Sequence, residues 1–322
     1  MLSLSKLTRT TVLGLAIACL TLPVRAADLD KIVPADSEGA VVFNFKSLFE
    51  SKLFQKYGEE PLKAAMKDEK AAKVIESTGL DPLKDITSVT VTFSGAAGGR
   101  ETMKFAMIVK GNFDVPKLEA AIGDAVKKQT GEAPKSEKEG DQTYWTFKNP
   151  QGEDITATFV GKEGLIASNN PSYLKNIVAG KGIDTTASGK SLKTAVGKVG
   201  GKETMFAAAA ITEQIKGLMG MNPQLKDLAP KLDAISGSVN IAEAIDVVLS
   251  VHTTDADTAK SLGQLIKQVL PLAKLFGAQN EMAKPIIDAL VDNLKVGSDG
   301  TMVNLKLQLT EELMKKLQPG GN

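Results

Sequence analysis

His252 is the chain's one imidazole and Cys19 its one thiol. One imidazole builds no two-His metal centre, and one Cys with one His builds no Cys/His zinc site. A Ser-His-Asp triad would have to use His252. That residue closes the run Val247-Val248-Leu249-Ser250-Val251-His252. Alternation puts Val247, Leu249 and Val251 on one strand face and His252 on the other with Val248 and Ser250. The expectation is a histidine on the surface of a strand.

Ser172 and Lys175 have the Ser-x-x-Lys spacing of penicillin-recognising enzymes. No Lys-Thr-Gly or Ser-Asp-Asn accompanies them, and Pro171-Ser172 reads as a helix start. The stretch from Asp184 to Ser191 ends in Gly189-Lys190-Ser191, like a phosphate-binding loop. Asp184 stands where that loop needs glycine, and a carboxylate there repels phosphate. No buried strand precedes it, so the stretch reads as a linker.

Paired carboxylates could do acid–base work on a glycoside. The pairs Asp28/Asp30, Glu59/Glu60 and Asp255/Asp257 each lie at an element start, where a helix N-terminus already favours acids. The aromatic platform a sugar needs would be Trp145 with Tyr144 and Phe147, which read as core and edge packing on a strand. No calcium-loop spacing of acids occurs. No catalytic, cofactor-binding or metal-ligating residue is assigned on this reading, and no cofactor is expected.

Charge narrows the partners. The 322 residues carry 39 basic and 38 acidic side chains, which excludes a polyanion-coating protein. Beyond residue 26 the only arginine is Arg100. Arginine is the side chain of bidentate phosphate and base recognition, so nucleic acid is not an expected partner.

The N-terminus reads as an export signal. Lys6 and Arg9 precede the apolar run Val12–Leu22, and Val24-Arg25-Ala26 offers small residues at a cleavage site. The run is too short for a membrane span, which needs about 20 residues. Cleavage after Ala26 leaves 36 basic and 38 acidic groups and removes Cys19. The exported chain then meets an oxidising compartment without a thiol. A rival reading takes Ala16-Ile17-Ala18-Cys19 as a loose lipoprotein box. The expected location is the periplasm or cell envelope, or outside the cell, with no transmembrane segment in the mature chain.

The elements that must position any site recur in order. In the first half Val41–Phe45 is a strand, and Ser47-Leu48-Phe49-Glu50 reads as a capping box opening a helix that Gly58 stops. A second helix is expected over Pro61–Ser77. Ile86–Ser94 and Met103–Lys110 form a hairpin, and a helix starts near Asp114 and Pro116. The second half replays this order. Met205–Ile211 is a strand, and Thr212–Met219 and Gln224–Lys231 are helical. Ile235–Ile241 pairs with Ile245–Thr253, and a long helix follows near Ala259. The first half closes with strands over Thr143–Lys148, Ile155–Val160 and Leu165–Ser168 and a helix from Pro171. The second closes with Asn293–Val296, Met302–Leu309 and a helix capped by Thr310.

Strands with one polar face belong to antiparallel sheets with helices on one side. The fold expected is α+β, two tandem related halves, each an antiparallel sheet covered by helices on one face with an open Thr/Lys-rich face. The divisions are a signal peptide over 1–26, a first domain over 27–180, a Gly/Lys-rich linker over 181–202 and a second domain over 203–322. The linker is expected to hold a helix over Ser191–Val199.

The strongest apolar feature is residues 259–292, where Pro271 should kink or break the helix. Leu262, Leu265, Ile266, Val269, Leu270 and Phe276 make its wide stripe. The stripe packs on the second sheet or forms one wall of an apolar groove.

Three turn and cap segments carry a resemblance. Ile32-Val33-Pro34-Ala35-Asp36 stands before a strand, Thr78-Gly79-Leu80-Asp81-Pro82-Leu83-Lys84-Asp85 before a hairpin, and Gly111-Asn112-Phe113-Asp114 before a helix. Together they resemble uncharacterised exported bacterial proteins of planctomycete type. The resemblance covers most of the mature chain and implies a fold but no active site. The expected function is that of an exported non-enzymatic binding or protein-interaction protein. The alternative is a periplasmic carrier of a lipid or other apolar ligand, and an enzyme using only Asp, Glu, Lys, Ser or Tyr is the third reading. The partner is accordingly an unknown protein or an apolar ligand.

Overall fold

A computed structural model describes residues 33–34, 36–99, 102–180, 187–197, 203–223, 225–277 and 284–317. The chain is α+β. Its strands are β1 (Gly39–Asn44), β2 (Ile86–Ser94), β3 (Lys104–Gly111), β4 (Lys135–Glu139), β5 (Gln142–Lys148), β6 (Asp154–Val160) and β7 (Gly164–Ser168). They continue as β8 (Met205–Ala210), β9 (Leu232–Ile241), β10 (Ile245–Thr253), β11 (Lys295–Asp299) and β12 (Met302–Leu309). All twelve form one antiparallel sheet in the order β11-β12-β10-β9-β8-β1-β2-β3-β7-β6-β5-β4. The two sheets expected from the sequence are thus joined, because β1 pairs with β8 from Gly39↔Ala209 to Phe43↔Met205.

Outward from that join the first half reads β1-β2-β3-β7 and the second β8-β9-β10-β12. In each half a long helix follows the third strand: α6 (Val115–Thr130) after β3 and α10 (Ala256–Gly277) after β10. In each half a short helix follows the fourth: α7 (Pro171–Val178) after β7 and α12 (Glu311–Leu317) after β12. The first half adds the β4–β5 hairpin at its outer edge.

Local chemistry accounts for most boundaries. Asn44, not Ser47, caps α1 (Phe45–Phe49), its side chain accepting from the Ser47 amide. Ser51 caps α2 (Lys52–Tyr57), which Gly58 closes. The helix expected over Pro61–Ser77 is two, α3 (Glu59–Met66) and α4 (Glu69–Thr78), broken at Lys67-Asp68. A short α5 (Pro82–Asp85) takes Asp81 as its cap. Asp114 caps α6 by accepting from the Lys117 amide, and Gly131 ends it with φ 82°. Thr212 caps α9 (Glu213–Gly220), and where a further helix was expected over Gln224–Lys231 the described residues form only a 3₁₀ turn at Ala229–Lys231. Helix α10 runs through Pro271 without stopping, and α11 (Lys284–Asn293) follows.

The segment expected as a linker holds α8 (Ala187–Val196), three to four residues earlier than the sequence suggests. Its Leu192, Ala195 and Val196 are wholly buried against Ala40, Val42, Phe206, Ala208 and Ala234. Helix α7 buries Tyr173, Leu174 and Ile177 on Ala106, Ile108 and Ile166. These strand residues lie on one face by register. The opposite face carries α6, whose Leu118 packs with Phe159, Val109 and Leu165. It also carries α10, whose Gly263 lies against Ser298 and Val303. Helices therefore cover both faces of the sheet, one pair each, and not one face as expected.

The open face is also reversed. Ser88, Thr90, Thr92 and Ser94 of β2 are buried, while Val89, Val91 and Phe93 on the other side are only half-buried. Side chains alternate along a strand, so the pattern found the two faces correctly. It took the apolar one to be covered, whereas α7, α8, Val33 and Ser37 lie over the Thr/Ser face. No helix of the described residues is long and apolar enough to cross a membrane.

Candidate functional site

The centre of the α6/α10 face is an apolar floor. Register defines three rows across the six strands β3, β2, β1, β8, β9 and β10. The middle row reads Met107, Val91, Val41, Ala207, Gly237, Leu249. The rows beside it read Val109, Val89, Phe43, Met205, Val239, Val247 and Phe105, Phe93, Gly39, Ala209, Ile235, Val251. No side chain in these rows carries a hydrogen-bond donor, and the backbone groups serve the strand ladders. Phe43, Met107, Ile235 and Leu249 are 39–40% exposed although their strands have neighbours on both sides. Such exposure in the middle of a sheet means that no layer of the described residues lies on them.

The floor is relieved in its centre. Ala207, Ala209 and Gly237 form a low strip between Phe43 and Phe93 on one side and Ile235 and Leu249 on the other. Gly39 adds no hollow, because the Phe93 ring lies over it. Six strands at about 4.8 Å and five residues at about 3.4 Å give a floor of roughly 24 by 14 Å. Helices α6 and α10 flank it as walls about 10 Å high.

Helix α10 places the residues expected to line a groove. Leu262, Ile266 and Leu270 are half-buried on one stripe. Leu265 and Val269 are exposed, at 41% and 47%, and Leu272 joins them. At 100° per residue these three lie on the flank opposite Gly263. The Phe276 side chain lies outside the described residues.

A cleft of about 490 Å³, with polar side chains among its lining, begins where the floor ends. Asn44 follows Phe43 on β1, and Ile241 lies two residues beyond Val239 on β9; both line the cleft with Ser47, Ser51 and Asn240. Lys52 donates to Glu243 at 2.5 Å across it. That hydrogen bond and charge hold the Glu243 carboxyl below its ordinary range and raise the Lys52 ammonium. A second, smaller slot of about 210 Å³ lies under α6.

The residues with catalytic potential are distributed elsewhere. His252 is buried, not on a solvated surface, and its Nε2 lies 2.9 Å from the Ser236 hydroxyl. Its face was assigned correctly, but that is the covered face, next to Ala234 beneath α8. Ser236 is buried as well, and neither residue lines the two clefts. Ser172 is exposed on α7, while Lys175 is held by Glu139 at 2.5 Å and lies over the Tyr144 ring. Asp255 accepts from the Thr258 amide at 2.7 Å, which lowers its pKa. Glu59 and Glu60 both face Lys63. Among the described residues no group of three or more His, Cys, Asp or Glu could hold a metal ion. Arg100, Asp28, Asp30 and Asp184 lie outside the described residues.

Comparison with family models, with curated proteins and with solved structures yields no match to this chain.

Proposed function

We propose that this chain is an exported, non-enzymatic binding protein whose working surface is the apolar floor between α6 and α10. The observation that carries this reading is the exposure of Phe43, Met107, Ile235 and Leu249 in the interior of the sheet. The floor measures roughly 340 Å² in outline, and α6 already covers its Val109 corner; an apolar patch of that order on a monomer is often a binding site. Covering what is open is worth at most about 8 kcal/mol at about 25 cal/mol per Å².

The occupant that suits the floor is a long hydrocarbon chain. A protein–protein contact of this area would carry about two or three hydrogen bonds, and the three rows offer no side-chain partner for one. The walls also keep a flat protein surface off the floor. A chain about 5 Å thick fits the low strip of Ala207, Ala209 and Gly237, and the Lys52–Glu243 pair in the cleft beyond Phe43 suits a headgroup. The carrier reading is therefore preferred to docking of a folded partner.

Gly237 provides the test. A Cβ there meets nothing nearer than 3.5 Å, so side chains fit without strain. Gly237→Leu should fill the strip and leave the fold intact. Binding of cis-parinaric acid, read by its fluorescence, is expected for the unaltered chain and at least tenfold weaker in the variant. No binding by either protein, or equal binding by both, would overturn the proposal. Capture of a protein by cross-linking at Leu249 in the absence of lipid would favour the folded partner.

A further inference from the structure

Beneath α6, on the outer side of the sheet, lies the slot of about 210 Å³. None of its lining residues belongs to the three rows of the apolar floor, so the inference stands apart from the function proposed above. Trp145, Phe147 and Phe159 supply three aromatic rings, with Trp145 and Phe159 edge to face at 5.8 Å. Ile122 and Leu165 complete most of the apolar wall.

The fold keeps this space open at a cost. Gly123 lies in the middle of α6, where glycine is about 1 kcal/mol worse than alanine. A Cβ built on it meets nothing within 4 Å. A larger side chain at that position would improve the helix and fill the void, as core packing ordinarily does. The volume exceeds the roughly 150 Å³ of an engineered apolar cavity that takes up benzene.

Charge gives the ligand its class. Glu119, one turn before Gly123, is the single ionisable residue lining the slot. No lysine lines it: Lys135 alternates to the opposite sheet face from Ser136, and Lys138 lies two residues beyond Ser136. Aromatic rings attract a cation through their negative faces, and a carboxylate at the same site adds to that attraction. We infer that the slot under α6 binds a compact organic cation of the quaternary ammonium class, held among Trp145, Phe147 and Phe159 with Glu119 as counter-ion.

Trp145 is the only tryptophan in the chain, so its fluorescence reports this slot alone. The probes are choline and its neutral carbon isostere, 3,3-dimethylbutan-1-ol. Choline should change the emission saturably, and the alcohol should bind at least tenfold more weakly. Gly123→Leu should abolish the response, and Glu119→Gln should weaken it by threefold to tenfold with an unchanged circular dichroism spectrum. The proposal is overturned if choline gives no saturable change or the alcohol binds equally well. It is also overturned if the response survives Gly123→Leu or is unaltered in Glu119→Gln.

Discussion

Tyr173 shows what a single buried hydroxyl does to this fold. Its OH lies 2.7 Å from the Ser37 hydroxyl, beneath the wholly buried Thr92. Burial pushes its pKa up to about 12, against a smaller downward pull from the hydrogen bond to Ser37. The folded state thus resists losing a proton that the unfolded chain releases near pH 10. Between pH 10 and 12 the unfolded state binds fewer protons, so stability falls as pH rises, by about 2–3 kcal/mol across the window. Denaturant melts at pH 9 and 11.5 should show that loss, and Tyr173→Phe should remove its own share of the difference. Ser88 presents the opposite case. Its hydroxyl is buried with no hydrogen-bond partner, and an unsatisfied buried group costs about 1–3 kcal/mol. Ser88→Ala should raise the thermal midpoint by a few degrees in calorimetry. The sequence could not rank these residues, because burial and partners depend on which sheet face is covered. The same ambiguity put His252 on the surface in the sequence reading.

At the scale of elements, backbone approach decides what the strands tolerate. A Cβ on Gly111 would stand 2.1 Å from the Asp85 carbonyl oxygen and 2.8 Å from the Phe113 ring. Gly111→Ala must therefore move the β2–β3 hairpin end, and overpacking of this kind costs about 1–3 kcal/mol or more. Gly237→Ala, on the open face, should be neutral or stabilising, and paired urea melts check the contrast. Most strands were legible because their alternation is strict, as in Val89, Val91 and Phe93. β4 was not, since Lys135-Ser136-Glu137-Lys138-Glu139 has no apolar residue and pairs only as a charged edge. Such charges protect a sheet edge from further pairing. Helix α10 continues through Pro271 against its local preference. The α3–α4 break at Lys67-Asp68 has no glycine or proline to announce it.

For the whole molecule, one pairing changes the architecture. The β1–β8 ladder joins the halves into a twelve-stranded sheet, and α2 reinforces the join through Lys56 and Tyr57, both bound to Glu311 at the start of α12. Nothing in the strand pattern specified that long-range pair. The join creates the six-strand floor, to which each half contributes three strands. The candidate site was not legible as such: the floor was read as covered core, and residues 259–292 were read either as packing on the second sheet or as one wall of a groove. Its side chains are Val, Phe, Leu, Ile, Met and Ala, types that normally signal burial. The same alternation fits a covered face or an uncovered one, and only the placement of α7 and α8 separates the two. What occupies the floor therefore decides the function. The most direct measurement is native mass spectrometry of the chain and of Gly237→Leu, both purified gently from the cells that make them. The account predicts a stoichiometric adduct of lipid mass on the unaltered chain, released on denaturation, and a bare variant. A bare chain in both preparations, or the same adduct on both, would contradict it.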